Sequence, residues 1–358
     1  MAVACGLARA GREVVVFDED DLGIRASRGN AGLIWVQGKG DRYPDYAVWT
    51  RQSSDLWPGF AAMLAQQTGI DVEYEQTGGF HFCINERELE LRAAMVAEVA
   101  KGPGANGITM VDRDFIRDRV PLIGERVIGA SWSPLDGMAN PLLLLRALHA
   151  LGRQDGVAYR PGDPVRAIAP LPGGGFRIDS AATSIEAAQV ILAAGLGNPA
   201  LGLMVGLDVP VGPVRGQIVV TERLPRFLPH PTPSIRQNRT GTVMFGLSAE
   251  PITNTDRSTR LAVTGGHAQR ALVEFPHLAA AQVVRSWAAL RIMPRDEQPI
   301  YDESPTCPGA FVVTCHSGVT LAAVHCLALA PSLAESRLPP GCEHFVLERF
   351  HASPAATA

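Results

Sequence analysis

The chain has 358 residues, 46% of them apolar, and a formal net charge of -4. That length and apolar content fill more than one small core, so two domains or one elaborated α/β unit are expected, and a low-complexity or disordered chain is excluded. The mild negative charge argues against a nucleic-acid partner, which would need a basic face. In chain order, Ala2, Ala4, Leu7, Ala8 and Ala10 read as a helix that Gly11 stops. Val14, Val15, Val16 and Phe17 then make a short buried strand ending in Asp18. A helix feeding a parallel strand normally follows an earlier strand and a tight glycine turn, and that preceding piece is absent from this sequence.

Residues 47–67 read as a helix and residues 86–101 as an amphipathic one, with a glycine turn into a strand at residues 76–82. PLLLLRALHAL, residues 141–151, has the apolar density of a buried helix with Pro141 in its first turn. Strands are expected over residues 157–170, 176–179 and 189–193, the last running into Ala194 and Gly195. Residues 215–222, 234–237 and 242–248 suit an antiparallel sheet. Residues 267–275 and 279–290 return to helix, residues 311–314 form a last strand and residues 318–330 a last helix. The tail after Leu338 is rich in Pro, Ala and His, and its end is expected to be poorly ordered. An α/β pattern at the start, middle and end implies a nucleotide domain from residues 1–76, 138–210 and 296–338. A substrate domain, residues 77–137 and 211–295, is inserted into it, and residues 339–358 form a tail.

Six cysteines (Cys5, Cys83, Cys307, Cys315, Cys326 and Cys342) show neither CxxC pairs nor zinc-ligand spacing. Reduced thiols of a cytoplasmic protein are therefore expected, with no metal site and no iron–sulfur cluster on this chain. No run reaches the roughly 18 apolar residues of a membrane span, and residues 1–12 are too short and too soon charged for a signal peptide.

The dinucleotide fingerprint runs strand, GxGxxG, helix, second strand and an acid about 20 residues on, with the glycines bringing backbone N–H groups to the pyrophosphate. This chain keeps the helix, the second strand and Asp18, but lacks the first strand and the whole glycine loop, so that Met1 falls just after the third glycine. Alone, an acid ending an apolar strand is an ordinary strand end. Further segments add to it. Ser27, Arg28, Asn30, Ala31, Gly32 and Leu33 suit a loop running close against a ligand. Residues 190–195, VILAAG, form a second buried strand whose small end residues can pack under a cofactor. Residues 287–291, WAALR, bring an arginine out of an apolar stretch, and residues 315–322, CHSGVTLA, turn from strand to helix with N–H groups facing an anion or an electron-rich ring.

In this order and spacing the segments resemble the D-amino-acid oxidase superfamily of FAD-dependent oxidoreductases, over nearly the whole chain from Met1 to about Ala330. Within it, SIRQ with GTVMFG, residues 234–237 and 241–246, and the cysteine-initiated CHSGVT are most similar to flavin subunits of hydrogen cyanide synthase, opine oxidase and D-hydroxyproline dehydrogenase. The fold class so implied is α/β: a Rossmann-like FAD-binding domain lacking its first strand and GxGxxG loop, with an inserted mixed or antiparallel-sheet substrate domain. The resemblance implies that Asp18 binds the adenosine ribose. It implies that Ser27, Arg28, Asn30, Ala31, Gly32 and Leu33 line the pyrophosphate and flavin, and that Val165 meets adenine through its backbone. Ala194 and Gly195 lie beside the cofactor, and His316, Ser317, Gly318, Val319 and Thr320 meet the pyrimidine end of the flavin. Arg291 matches the arginine that holds the substrate carboxylate, a task its planar fork suits. The plainer readings are a surface ion pair of Arg291 with Asp296 or Glu297, a satisfied core histidine at His316, and a solvated Arg28.

FAD is expected to be non-covalent, because residues 291–294 hold no cysteine for attachment. The implied activity is oxidation of an amino acid or secondary amine, with electrons leaving to partner subunits, one of them carrying iron–sulfur clusters. The alternatives are a free-standing peroxide-producing oxidase and a truncated, cofactor-free structural subunit. Residues 323–326, AVHC, depart from the usual Pro- and Gly-bearing continuation of the last helix, which implies altered packing below the flavin.

Overall fold

The apolar run after Gly11 forms the strand Val15–Asp18, and it pairs in parallel with Ala158–Pro161. We describe it from a computed structural model, which covers residues 1–20, 23–102, 107–246 and 248–351. A second parallel pair joins Val190–Leu192 to Ala310–Thr314, with Ile300–Glu303 antiparallel on the far edge. Among the described residues no ladder connects these two sheets. Parallel neighbours need long crossovers, and helices supply them. Ala2–Arg9 precedes the first strand and packs on the last helix through Gly6, where a Cβ would stand 2.2 Å from the Cys326 carbonyl oxygen.

Pro44–Thr68 is a 25-residue helix with Pro44 in its first turn and a left-handed Gly69 as its cap. Its Trp57, Phe60 and Leu64 meet Leu144 and Leu148 of the helix Pro141–Gln154, whose first turn is capped by the Asn140 side chain. Glu86–Lys101 forms as expected. The Asn85 side chain accepts from the Glu88 N–H, and Glu88 reaches back to the Ile84 N–H at 3.1 Å.

The remaining sheets are antiparallel: Val165–Pro170, Phe176–Ser180 and Ser184–Ala187 form one, Leu33–Ile34 pairs with Gly137–Met138, and two others share a core. Gly79–Cys83, Gly129–Ser133 and Thr109–Asp112 form one, with Gly129–Ser133 central. In the larger, the long strand Val211–Arg223 pairs with Thr242–Gly246, Glu250–Pro251 and Val283–Pro294, and Ile235–Gln237 flanks Thr242–Gly246. Their apolar faces share a core of Phe80, Phe82, Val219, Phe245 and Phe275.

Several elements depart from expectation. Residues 279–290, expected as helix, give only the 3-10 turn Pro276–Ala280 and then the strand Val283–Pro294. Alanines at 279–281 and 288–289 favour helix locally, but the ladder to Val211–Arg223 satisfies the backbone and overrides that preference. Residues 157–170 split into Ala158–Pro161 and Val165–Pro170 at Gly162, whose φ is +70°. The helix expected at 267–275 starts earlier, as Leu261–Glu274. The last helix starts later, at Ala322, and carries a π-helical segment, His325–Leu329, where the side chain of His325 meets the Tyr301 hydroxyl at 2.6 Å. The expected strand 242–248 is observed as Thr242–Gly246, and Leu247 lies outside the described residues. Beyond Leu338 the chain still contributes to the core, since Phe345 packs on Trp49 and Tyr301. The expectation for the chain's end falls on residues 352–358, outside the described residues.

Candidate active site

Parallel strands deliver their C-terminal ends to one side of a sheet, and ligands of open α/β sheets bind there. Asp18 closes the first strand with its side chain about one-third exposed (34%). One carboxylate oxygen accepts from Arg25 Nη1 at 3.1 Å and from the Asp20 N–H at 3.1 Å, and the other meets the Tyr159 hydroxyl at 3.3 Å. Val165 begins its strand within the apolar cluster that also takes Phe17, beside Asp18. Ala194 and Gly195 follow Val190–Leu192. Gly195 is left-handed (φ +61°), and a Cβ there would come 3.1 Å from Ile292 of Val283–Pro294, so the larger antiparallel sheet roofs this strand end.

The loop from Ser27 to Leu33 lies between the parallel strands and that roof. Ser27 and Arg28 belong to the single turn Ala26–Gly29. Asn30 shapes the loop itself. Its Nδ2 donates to the Ala26 and Ser27 carbonyls, and its Oδ1 accepts from the Gly32 N–H at 2.8 Å. Ala31 is buried. Gly32 is left-handed (φ +73°) and approaches the Ala139 carbonyl closely. Leu33–Ile34 pairs with Gly137–Met138. Thr320 joins this loop to the last segment, because its hydroxyl accepts from the Trp35 N–H at 3.0 Å and faces the Leu33 carbonyl at 3.3 Å.

Arg291 lies opposite Val214 in the ladder and its side chain reaches over Gly216, where a Cβ would stand 3.0 Å from Arg291 Nε. Its Nη1 lies 3.1 Å from His316 Nε2 and its Nη2 donates to the Ser248 carbonyl at 3.1 Å. Burial, followed by the charges of Lys39 and Arg291, pushes the His316 pKa well below its ordinary value. The imidazole is therefore neutral near pH 7, accepting at Nε2 and carrying its proton on Nδ1. The Asp296 carboxylate of the plainer ion-pair reading is held instead by Arg349, whose Nε donates to it at 2.7 Å. Ser317 takes a hydrogen bond from the Tyr46 hydroxyl at 2.9 Å, Gly318 is open with nothing within 4 Å of its Cβ position, and half-buried Val319 packs beside the core formed by Trp57 and Leu148. The structure thus brings together Arg291 with His316, and Leu33 with Thr320, while Asp18 and Val165 lie together at another strand end.

One residue was missed from sequence. Lys39 extends its ammonium to 5.3 Å from the Tyr46 ring centroid, and burial lowers its pKa against the opposing pull of Glu297. Its available signal was a lysine flanked by two glycines, Gly38 and Gly40, both left-handed here.

The residues present fit a dinucleotide at its two ends. A partly exposed acid ends one parallel strand, and a left-handed glycine and an open Gly318 follow two others. A neutral imidazole and a guanidinium converge under the roof. Fold and site together define a dinucleotide-dependent oxidoreductase. The family model for FAD dependent oxidoreductases (DAO) matches residues 1–331. The chain is 43% identical over 356 residues to an opine oxidase subunit of Agrobacterium tumefaciens (strain Ach5), covering 99% of this chain and 95% of that one. It is 29% identical to the HcnC subunit of hydrogen cyanide synthase from Pseudomonas aeruginosa, covering 86% of this chain and 75% of that one. The glycine oxidase structure from Geobacillus kaustophilus superposes with a TM-score of 0.87 at 24% identity, covering 97% of this chain and 94% of that one. The chain belongs to the DAO family of FAD-dependent oxidoreductases.

Proposed function

We propose that this oxidoreductase oxidises an amino acid or a secondary amine whose carboxylate is held by Arg291, and that it works as the flavin subunit of a dehydrogenase complex. The observation that carries the reading is the half-buried Arg291 guanidinium, held by His316, which follows the strand Ala310–Thr314, and by the Ser248 carbonyl. A guanidinium offers five N–H donors in a rigid fork, which suits bidentate carboxylate binding. Bound FAD supplies the acceptor for the hydride that leaves the substrate Cα. The amine lone pair forms the C=N bond as that hydride departs, and water then hydrolyses the imine. Neutral His316 cannot donate from Nε2 while accepting from Arg291, so it orients the fork and leaves the proton inventory of the substrate amine untouched.

Asp18 serves the adenosine ribose in this reading, the Ser27–Leu33 loop and Ala194–Gly195 line the cofactor, and the His316–Thr320 segment meets its pyrimidine end. The similarity to subunits of opine oxidase and of hydrogen cyanide synthase supports a place in an assembly whose partner subunits, one with iron–sulfur clusters, take the electrons. Arg291→Lys tests the carboxylate assignment. Lysine keeps the charge and loses the fork, so the anaerobic reduction rate at fixed substrate should drop by about 100-fold or more, equivalent to roughly 3 kcal/mol. Unchanged reduction and substrate affinity would exclude Arg291 as the carboxylate anchor. Peroxide released by the isolated chain at the rate of turnover would instead identify a free-standing oxidase.

A further inference from the structure

The turn after Leu33–Ile34 is held by a buried polar pair that the proposed chemistry does not use. Gln37, Ser131 and Asp136 are fully buried. One oxygen of the Asp136 carboxylate accepts from the Val36 N–H at 2.6 Å and the Gln37 N–H at 3.2 Å. The other accepts from Gln37 Nε2 at 2.6 Å, and that amide also donates to the Gly79 carbonyl at 2.9 Å. Gln37 Oε1 in turn accepts from the Ser131 hydroxyl at 2.6 Å and from Arg92 Nη2 at 2.7 Å, while Arg92 Nε donates to Ser131 at 2.6 Å. Every polar atom of the Gln37 side chain is used, and only one amide orientation is possible. Turned over, it would set oxygen against the carboxylate and N–H groups against two donors.

A buried carboxylate is costly to keep, and an apolar pair of similar size would be an easier core. What this pair supplies is geometry. The Trp35 N–H is fixed on Thr320, the next two N–H groups are fixed on Asp136, and the Lys39 N–H closes the turn on the Val36 carbonyl at 3.2 Å. The left-handed Gly38 and Gly40 on either side of Lys39 let the turn present it toward Tyr46, whose hydroxyl bonds Ser317. We propose that Asp136 and Gln37 are a positioning pair, which ties this turn to the neighbouring sheet and so sets Lys39 beside the Arg291–His316 site. The functional half of this statement rests on the reading of Arg291 given above.

A donor–acceptor exchange tests it. Asp136→Asn sets an amide N–H against Gln37 Nε2, and Gln37→Glu sets one carboxylate against another, so each alone should break the pair. The double variant restores a donor opposite an acceptor and places the new carboxylate next to Arg92, with one residual cost, a carboxylate oxygen set against the Gly79 carbonyl. Hydrogen exchange of the Val36 and Gln37 amides, followed in the full chain without substrate, should accelerate by about tenfold or more in Asp136→Asn and return most of the way in the double variant. KM for the amine substrate should rise by roughly tenfold in Asp136→Asn with flavin content retained, and adding Lys39→Met should raise it little further, because both act through one group. Exchange rates unchanged in Asp136→Asn, or no recovery in the double variant, would overturn the positioning role. Altered exchange with an unchanged KM, or fully additive effects of Lys39→Met, would show that the turn does not serve the site and would equally overturn the proposal. Failure of the Arg291 reading is seen separately, in Arg291→Lys, and leaves the exchange result intact.

Discussion

Gly32→Ala probes the closest approach in the Ser27–Leu33 loop. A Cβ at Gly32 would stand 2.1 Å from the Ala139 carbonyl oxygen and 2.8 Å from Pro141 Cδ. The first of these neighbours is backbone, tied by the Ala139 N–H to the Gly32 carbonyl at 2.9 Å, and the second opens the helix Pro141–Gln154. Reaching ordinary contact needs a displacement of about 1 Å, which breaks that hydrogen bond at a cost of about 1 kcal/mol. The positive φ adds roughly 1–2 kcal/mol for a residue with a Cβ, and the remaining overlap about 1–3 kcal/mol. The sum is about 3–6 kcal/mol, which corresponds to a melting temperature lowered by about 5 °C or more in a chain of this size. Gly11→Ala is the internal control. Its φ is +81° and nothing lies within 4 Å of the Cβ position, so it carries the backbone penalty alone. Thermal unfolding of both variants, with flavin content measured in parallel, separates strain from collision. If Gly32→Ala melts within about 1 °C of Gly11→Ala, the close packing of the loop against Ala139 is wrong.

Two further outcomes are expected. Asp18→Ala should weaken FAD binding by roughly tenfold while leaving the melting of the cofactor-free chain nearly unchanged, since a partly exposed pair with Arg25 contributes little; an FAD dissociation constant equal to that of the unsubstituted chain, read by flavin fluorescence quenching, would remove Asp18 from the site. His81 is held at a pKa of about 3 by burial and by the charges of Arg92 and Arg270. The unfolded chain therefore binds a proton below pH 6.5 that the folded chain refuses, so this contribution to stability is intact above pH 6.5 and declines as the pH falls toward 3. At pH 5 the loss is about 2 kcal/mol, and His81→Gln should flatten the fall in melting temperature between pH 7 and pH 5; an identical slope in the variant would show that His81 is not kept neutral.

The parts of the fold legible in the sequence were those that local chemistry dictates. Asn85 with Glu88, Pro44, Pro141 and Gly69 mark helix ends through groups within one turn, and the apolar runs at residues 14–17 and 311–314 mark strands, the second fully buried and the first only half-buried. Thr109–Asp112 and Gly129–Ser133 were not legible, because their pairing partners lie in distant sequence and neither has a clear alternating pattern. The same reason hid Lys39 and Asp136. One depends on two left-handed glycines placing a turn, and the other on a carboxylate that accepts from N–H groups about a hundred residues away.

Arg291 raises a sharper question, since the residue was singled out from a stretch whose secondary structure was misjudged. Side chains four apart share a face in a helix, and side chains two and four apart share one in a strand. Trp287 and Arg291 therefore project together under either assignment, which is why the arginine could be singled out as a candidate from a mistaken element. Ala289 distinguishes the two. In a helix it would face away, whereas in the observed strand it lies on the same side, and Gly29 comes so near that a Cβ there would be 2.4 Å from the Ala289 methyl. Trp287 Nε1 donates to the Gly29 carbonyl at 3.0 Å from that same face. The alanine that made the segment look helical is small where the Ser27–Leu33 loop passes directly beneath it, so its size also records a tertiary contact, and the ladder to Val211–Arg223 overrides its local helical preference.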